Sequence, residues 1–304
     1  MEIHDQILRK IANTLFSNMQ KMPYLGLFSG RLGPALFFFY YGRYSNKYIY
    51  SIIANDCIDA IYGKIHNMTK EFADGLTGFG WTINHIVENH FVETDDDNTL
   101  DEVDEIVKNM DISNFMYEMS SETPLCSKGL YAIARNDKDF ITSTLMQCKE
   151  LLEQKDIRFS LCYLNSVLHI VIRAYKADIE LALCRYLIEA IYGHVASTLE
   201  KKHYSESDLV TLQHFIRHIG QDISEPAKWK LLLEDIKISQ KAILSSCWNY
   251  LIYGESGLKQ VNISDINMFV DDLICNLRYQ DLALYSGLSG LGIELIKLNE
   301  NRIP

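Results

Sequence analysis

The chain has 304 residues, of which 48% are hydrophobic and only five are proline, so it can form one large core built from uninterrupted helices. Its formal net charge of −11 excludes a general nucleic-acid binder, because neutralising phosphates requires clustered Lys and Arg. We therefore expect a single domain, residues 1–304, with no nucleic acid as a partner.

The N-terminal segment, MEIHDQILRKIANTLF, has acidic residues early and apolar residues at helical spacing. A secretory signal has the opposite order, with basic residues before an apolar stretch. The longest apolar block, Leu36 to Tyr41, is also much shorter than the roughly 20 residues that span a bilayer. These features predict a cytoplasmic protein without a membrane span.

A glycine-rich phrase recurs along the chain, and each copy leads into an apolar, helix-like run. The clearest copies are LFSGRLGPALFFFYY, DGLTGFGWTINHI and SGLSGLGIELIKL, and a weaker copy is CSKGLYAIAR. The glycines to which we assign a structural role are Gly30, Gly33, Gly75, Gly78, Gly80, Gly129, Gly287, Gly290 and Gly292. Glycine at the start of a buried helix allows a loop to approach closely, and it can supply positive φ in a tight turn.

The spacing of the phrases predicts a repeated pair of helices. In a fourth copy, SLCYLNSVLHIVI, Tyr163 and Ser166 replace the two leading glycines. The copies that start at Gly30, Gly75, Gly129 and Tyr163 are separated by 45, 54 and 34 residues, which is room for two helices each. Intervening segments such as DFITSTLMQCKELLEQ are amphipathic. Alternating apolar and amphipathic helices predict an all-α fold, an α/α toroid with at least five inner helices.

Two polar groupings have a functional and a structural interpretation. The acidic run Asp95 to Asp97 resembles a metal-diphosphate motif, but it precedes a predicted capping box at Thr99 and Glu102, which favours a solvated loop. His214 and His218 share one helix face and have the spacing of metal ligands. No Glu lies between them, so we favour a surface or boundary pair over a metalloprotease site.

Seven cysteines are spread along the chain, and no two have Cys-x-x-Cys spacing. Most lie in apolar helical stretches, and their number is odd. This pattern predicts buried thiols rather than disulfides or a zinc finger.

The glycine phrases resemble those of the lanthionine synthetase C-like (LanC-like) family, cyclases whose inner helices begin with such phrases. The resemblance extends in pieces from about Leu25 to Leu298 and is weak between residues 135 and 280. It implies an α/α barrel. In members with the complete site, it also implies zinc-dependent addition of peptide Cys thiols to dehydrated Ser or Thr. Two Cys and one His hold the zinc there, and the thiol that binds the open fourth position loses its proton.

The resemblance supplies only one of these three ligands. The family takes one cysteine from a Trp-Cys-Tyr-Gly phrase, where this chain has SSCWNY with Cys247, Trp248 and Asn249. The other two come from a Cys-His-Gly phrase, but the chain contains no Cys-His dipeptide. Only 38 residues separate Asn249 from Gly287, too few for the usual extra hairpin, so we expect the ring to be incomplete or irregular at 249–287.

A further family histidine, in an Ala-His-Gly phrase, aligns with Cys162, which removes a group that titrates near neutral pH. Cys247 is therefore a vestigial metal position. Cys162 or Cys275 would have to approach it in space to rebuild a zinc site. The residues expected to line the barrel mouth and bind a ligand are Asp74, Trp81, His85, Cys162, Tyr163, Trp248 and Asn249.

Three functions follow from this pattern. The first is a degenerate, non-catalytic LanC-like protein that needs no cofactor and binds a peptide or a modifying-enzyme partner in peptide natural-product maturation. The second is an active zinc-dependent cyclase with an altered metal site. The third is an α/α-barrel glycoside-processing enzyme, which needs a carboxylate pair at the mouth. Asp74 is a candidate for that pair, or it caps the helix that follows.

Overall fold

The computed structural model describes residues 2–93, 100–110, 118–119, 124–154, 157–202, 204–220, 223–254 and 257–300. Within these ranges the α-helices are α1 (Glu2–Asn18), α2 (Leu32–Ser45), α3 (Tyr48–Tyr62), α4 (Leu76–Glu88), α5 (Asp101–Lys108), α6 (Pro124–Arg135), α7 (Lys138–Leu152), α8 (Leu161–Lys176), α9 (Leu181–Glu200), α10 (Glu206–His218), α11 (Pro226–Leu231), α12 (Gln240–Ser245), α13 (Trp248–Tyr253), α14 (Ile263–Cys275), α15 (Tyr279–Leu282) and α16 (Leu288–Glu300). Short 3₁₀ helices cover Met19–Lys21, Ile65–Asn67 and Leu258–Gln260. The strands β1 (Glu118–Met119) and β2 (Arg158–Phe159) pair in parallel over two residues. The chain is all-α, as predicted.

The helices that follow glycine phrases are buried on nearly every side. In α2 every residue from Leu32 to Gly42 is buried, and in α16 the same holds from Leu288 to Ile296. The next helix along the chain from α2, α3, instead buries only four residues, spaced three or four apart: Ala54, Cys57, Ile58 and Ile61. The predicted alternation of apolar and amphipathic helices is therefore present at α2 and α3. A helix that is apolar on all sides is buried on all sides, whereas an amphipathic helix buries one face.

Polar side chains define where several helices begin. Asp137 accepts a hydrogen bond from the Phe140 amide before α7, and Ser160 accepts one from the Tyr163 amide before α8. Ser205 caps α10 with a reciprocal capping box. Each cap satisfies an amide that the first turn of a helix leaves unpaired.

The chain divides into two compact units. The first comprises residues 1–69, 73–97 and 239–304, and in it α16 packs against α1, α2 and α13. The second comprises residues 70–72 and 98–238, and in it α8 packs against α6, α7, α9 and α10. That residues 1–304 form one domain stays a prediction.

The interval 249–287 lacks a regular pair of long helices in its described part. It contains most of the six-residue α13, a 3₁₀ turn, the 13-residue α14 and the four-residue α15. This irregularity agrees with the shortness of the interval.

Three further expectations concern membrane-spanning helices, the cysteines and the acidic run. None of the described helices combines the length and apolarity that crossing a bilayer requires. The seven cysteines all lie in the described ranges and form no disulfide bond. The acidic run Asp95 to Asp97, and Thr99 of the predicted capping box, fall outside the described residues.

Candidate functional site

Three loops that lead into glycine-phrase helices are joined by hydrogen bonds in the first unit. The Phe28 amide donates to the carbonyl of Ala73 at 2.7 Å, and the Ser29 amide donates to Asp74 Oδ1 at 2.8 Å. The Tyr285 amide donates to the carbonyl of Phe28 at 3.0 Å. The loop before α2 therefore connects the loops before α4 and α16. Asp74 serves this connection, and Gly75 occupies the N-cap position of α4.

Several glycines allow this close approach of backbones. A Cβ on Gly26 would lie 2.1 Å from Asp74 Cα, and one on Gly30 would lie 2.2 Å from the Gly26 nitrogen. On Gly290 it would lie 2.4 Å from the Leu284 carbonyl oxygen. Distances this short require the backbone to move.

Among the remaining phrase glycines, Gly33 and Gly287 also lie against backbone, whereas Gly129 and Gly292 lie against side chains. An added Cβ would meet a neighbour at 2.7 Å for Gly33, 2.4 Å for Gly129, 2.5 Å for Gly287 and 2.5 Å for Gly292. Gly78 and Gly80 are buried in the first turns of α4. The expectation of positive φ at these glycines is wrong for the described residues, where Gly254 is the one glycine with positive φ. In the last phrase the left-handed residue is Ser286, with φ 59°.

Cys247, the position that resembles a zinc ligand, lies at the start of α13 and is only 3% exposed. Its thiol donates a weak hydrogen bond to the carbonyl of Ile243 at 3.8 Å. Burial, the negative charge of Glu294 and a hydrogen bond to the Glu294 side chain raise the pKa of this thiol well above its usual value. Without a metal ion beside it, Cys247 is therefore a neutral thiol at neutral pH.

Glu294 is a functional candidate that the sequence reasoning missed. It lies in the middle of α16, is 1% exposed, and accepts a hydrogen bond from the Leu258 amide at 2.9 Å. The signal was present in IELIKL, where a carboxylate interrupts an apolar inner helix. A buried charge in such a helix requires polar partners.

The donor set around Cys247 does not fit the zinc site that the resemblance implies. No group of three His, Cys, Asp or Glu side chains in the described part of the chain has an arrangement that could hold a metal ion. Cys275 does not complete one with Cys247. Cys162 lies near the start of α8 in the second unit, and Cys275 is exposed at the end of α14.

An aromatic cluster, formed by Phe28, Trp248 and Tyr285, adjoins these loops. The ring centroids of Phe28 and Trp248 are 5.0 Å apart, as are those of Trp248 and Tyr285, and Phe28 and Tyr285 are 5.5 Å apart. Trp248 is 6% exposed and Tyr285 is 39% exposed. Asn249, the next residue, is buried beside Trp248. The cluster thus has a buried base and an open edge.

Trp81 and His85 meet each other, but they lie further along α4 than the glycines. Their rings stack with centroids 4.8 Å apart and an interplanar angle of 13°. His85 Nε2 lies 2.8 Å from Tyr40 Oη. Burial, aided by the positive charge of Lys297, lowers the pKa of His85 to about 4. The bond therefore joins a neutral imidazole to a neutral phenol, as in a hydrogen-bonded core histidine.

The repeat explains how these side chains come together. Tyr40, His85 and Lys297 each follow the second glycine of their phrase by seven residues. Lys297 Nζ lies 5.1 Å from the centre of the Tyr40 ring and also forms an ion pair of 2.7 Å with Glu300. Seven residues are about two helical turns, so equivalent positions of three inner helices face one another.

Tyr163 and the histidine pair lie in the second unit. Tyr163 is fully buried and stacks on Phe159 with centroids 5.2 Å apart, so it is a core residue there. The rings of His214 and His218 are 5.0 Å apart on α10, and His214 also contacts Phe215. In the first unit, the proposed binding residues fall into two groups. Asp74, Trp248 and Asn249 lie at or beside the loops that precede the glycine-phrase helices, and Trp81 and His85 lie together on α4.

Cys247 and Cys275 should differ sharply in reactivity towards iodoacetamide. The thiolate is the reactive form, and Cys247 is buried with a raised pKa, whereas Cys275 is exposed. We expect Cys275 to be alkylated rapidly in the folded protein and Cys247 only after unfolding, as measured by peptide mass spectrometry. Equal rates in the folded protein would contradict the described environment of Cys247.

Comparisons with known proteins agree with the sequence resemblance. Residues 22–167 match the family model described as lanthionine synthetase C-like protein. The solved structure of nisin cyclase aligns with 98% of this chain and 94% of its own, with a TM-score of 0.68 and 12% sequence identity. Nisin cyclase has an α/α toroid fold, so the predicted fold class is confirmed. No curated protein matches the sequence.

Proposed function

We propose that this chain, which is LanC-like in sequence and fold, is a degenerate member that has lost zinc-dependent cyclase chemistry. It binds a lanthipeptide precursor, or the enzyme that modifies one, in the cytoplasm. The environment of Cys247 carries this proposal. Cys247 occupies the place of the first zinc ligand, but no group of three His, Cys, Asp or Glu side chains in the described part of the chain could hold a metal ion with it.

The missing ligands matter because zinc sites that leave a position for substrate normally use three protein donors. Without the ion, a peptide thiol keeps a pKa near ~8.5 and remains mostly protonated at neutral pH. Among the described residues near Cys247, the side chain of Glu294 is one further group of a type that binds metal ions. In its described part, the chain therefore offers fewer ligands than the resembled cyclases use to generate a thiolate.

The aromatic cluster supports a binding role. Tyr285 and Phe28 present partly exposed rings beside the loops that precede α2 and α16. Aromatic rings bury a large apolar area and tolerate varied peptide side chains. The network of backbone hydrogen bonds between the loops would hold these rings in place before a peptide arrives.

Zinc content separates the degenerate protein from an active cyclase with an altered site. We expect the purified, dialysed protein and its Cys247→Ala variant to contain far less than one zinc ion per chain by elemental analysis. Near-stoichiometric zinc in the parent that disappears in Cys247→Ala would instead support the active-cyclase alternative, with Glu294 as a second donor.

Peptide binding and peptide cyclisation can be measured on the same sample. We expect a labelled, dehydrated Cys-containing peptide to bind by fluorescence anisotropy while its thiol, counted with a chromogenic reagent, persists. Tyr285→Ala should weaken binding, whereas Tyr279→Ala, which removes an exposed tyrosine outside the cluster, should not. Thiol loss at enzymatic rates would refute the non-catalytic role, and equal effects of the two variants would refute the role of the cluster.

A further inference from the structure

We infer that one face of α3 is a docking surface for a basic amphipathic helix of a polypeptide partner. This surface, the outer α3 face, consists of Tyr48, Ile49, Ile52, Asp56 and Asp59. It carries apolar side chains in its first half and carboxylates in its second half. The inference does not depend on the proposed loss of zinc chemistry.

The first half of the outer α3 face exposes large apolar side chains. Tyr48 is 75% exposed, Ile49 is 55% exposed and Ile52 is 39% exposed. Ile52 lies four residues after Tyr48 and three after Ile49, so all three side chains adjoin on the helix surface. The buried side of α3 packs against α2. Single exposed apolar side chains are common, whereas adjoining ones mark an interaction surface.

The second half of the face carries two exposed carboxylates. Asp56 and Asp59 follow Ile52 by four and seven residues, which places them one and two turns further along the same face. Within the ranges that the structure describes, neither carboxylate forms an ion pair. A partner that supplies Lys or Arg at this end gains charge-assisted hydrogen bonds. The face therefore predicts a partner helix with apolar residues at one end and basic residues at the other.

The charge of the face distinguishes this partner from other occupants. An anionic membrane or a nucleic acid is repelled by the carboxylates and by the net charge of −11. A second copy of the chain would meet the face with the same face. In an antiparallel pair of α3 helices the carboxylates of each would be buried against apolar residues of the other, and in a parallel pair the carboxylates would face each other. A basic helix avoids both arrangements.

The outer α3 face is separate from the aromatic cluster that supports peptide binding. Helix α2 has 14 residues and is therefore about 21 Å long. The loop with Phe28 precedes α2, whereas Tyr48 begins α3 shortly after α2 ends. The apolar half of the face thus lies at the opposite end of α2 from the cluster, so variants of the two surfaces can be tested independently.

The experiment measures binding of a fluorescein-labelled helical peptide of Leu and Lys to the full chain by fluorescence anisotropy. An analogue with Glu in place of Lys is the charge control. We expect the Leu/Lys peptide to bind and the Leu/Glu peptide not to bind. Asp56→Asn with Asp59→Asn should raise the Kd roughly three- to tenfold at low salt, and less at high salt. Ile49→Ser with Ile52→Ser should raise it about tenfold.

Matched pairs of substitutions elsewhere separate a specific surface from the general charge of the chain. Glu150→Gln with Asp178→Asn removes two exposed carboxylates, and Leu231→Ser with Met268→Ser removes two exposed apolar side chains. We expect neither pair to change the Kd. Tyr285→Ala should not change it either, because Tyr285 belongs to the aromatic cluster. All the substituted side chains are at least partly exposed, so each variant should fold, as circular dichroism checks.

The inference is overturned if the matched pairs raise the Kd as much as the α3 pairs do, or if the Leu/Glu peptide binds as tightly as the Leu/Lys peptide. It is also overturned if Ile49→Ser with Ile52→Ser converts a dimeric parent into a monomer in sedimentation velocity, or abolishes binding to anionic vesicles. If Tyr285→Ala raises the Kd and the α3 pairs do not, this inference alone fails. Docking at α3 together with thiol-consuming activity would refute the proposed function alone.

Discussion

Replacing Gly26 with alanine should leave little folded protein. The added Cβ would lie 2.1 Å from Asp74 Cα and 2.6 Å from Asp74 C, and backbone atoms cannot rotate away as the end of a side chain can. Ordinary overpacking costs about 1–3 kcal/mol. An overlap with backbone should exceed that range and use most of the roughly 5–15 kcal/mol that stabilises a typical protein. Soluble yield and thermal unfolding by circular dichroism measure the effect.

Gly193→Ala is the matched control for this substitution. Gly193 lies in α9, and a Cβ built there has no neighbour within 4 Å. Alanine is favoured over glycine inside a helix by about 0.8–1.0 kcal/mol, so this variant should unfold at a slightly higher temperature than the parent. Parent-like stability of Gly26→Ala would show that the loop before α2 can move away from Asp74, contrary to our account.

Acidification from pH 7.5 to pH 5 should destabilise the protein through two histidines. Burial, with the charge of Lys297, lowers the pKa of His85 to about 4. Burial, with the charges of Arg173, His214 and Lys176, lowers the pKa of His169 to about 3. The unfolded chain binds a proton at each histidine below about pH 6.5, while the folded chain does not until its lower pKa is reached.

Stability is therefore lost as the pH falls below about 6.5, at about 1.4 kcal/mol per pH unit for each histidine. For the pair we expect a loss of about 4 kcal/mol between pH 7.5 and pH 5. Urea unfolding at the two pH values measures it. His169→Gln should show roughly half the loss. Equal unfolding free energies of the parent at both pH values would contradict the neutral state of His85 and His169 in the folded protein.

Much of the fold was predictable because each glycine phrase marks a close approach of backbones and leads directly into a run of apolar residues. A helix that is apolar all around, such as α2, has to be buried, and the amphipathic α3 beside it has to cover it. The loop packing was harder to predict. Gly26 precedes the first phrase, and its contact with Asp74 joins residues 48 positions apart, so no local pattern marks it.

The candidate site was predicted in part. The position of Cys247 followed from the resemblance, whereas Glu294 was missed because a lone carboxylate in an apolar run does not show which donors it meets. The grouping of Trp81 with His85 follows from their four-residue spacing on α4. Their partner Tyr40 lies on another helix, so its place depends on the register between repeats two turns beyond the glycines, which the glycine spacing alone does not give.

Tyr40, His85 and Lys297 occupy equivalent positions of three repeats, so one contact is encoded at several places along the chain. Exchanging two of these side chains between neighbouring helices would keep the same pair of groups opposite each other, although each would meet different neighbours, such as Trp81 at position 85 and Phe91 at position 40. The double exchange Tyr40→His with His85→Tyr would keep a phenol facing an imidazole, although neither single change would. Internal duplication thus gives this protein several places at which one interaction can be encoded, so drift at a single repeat need not erase it.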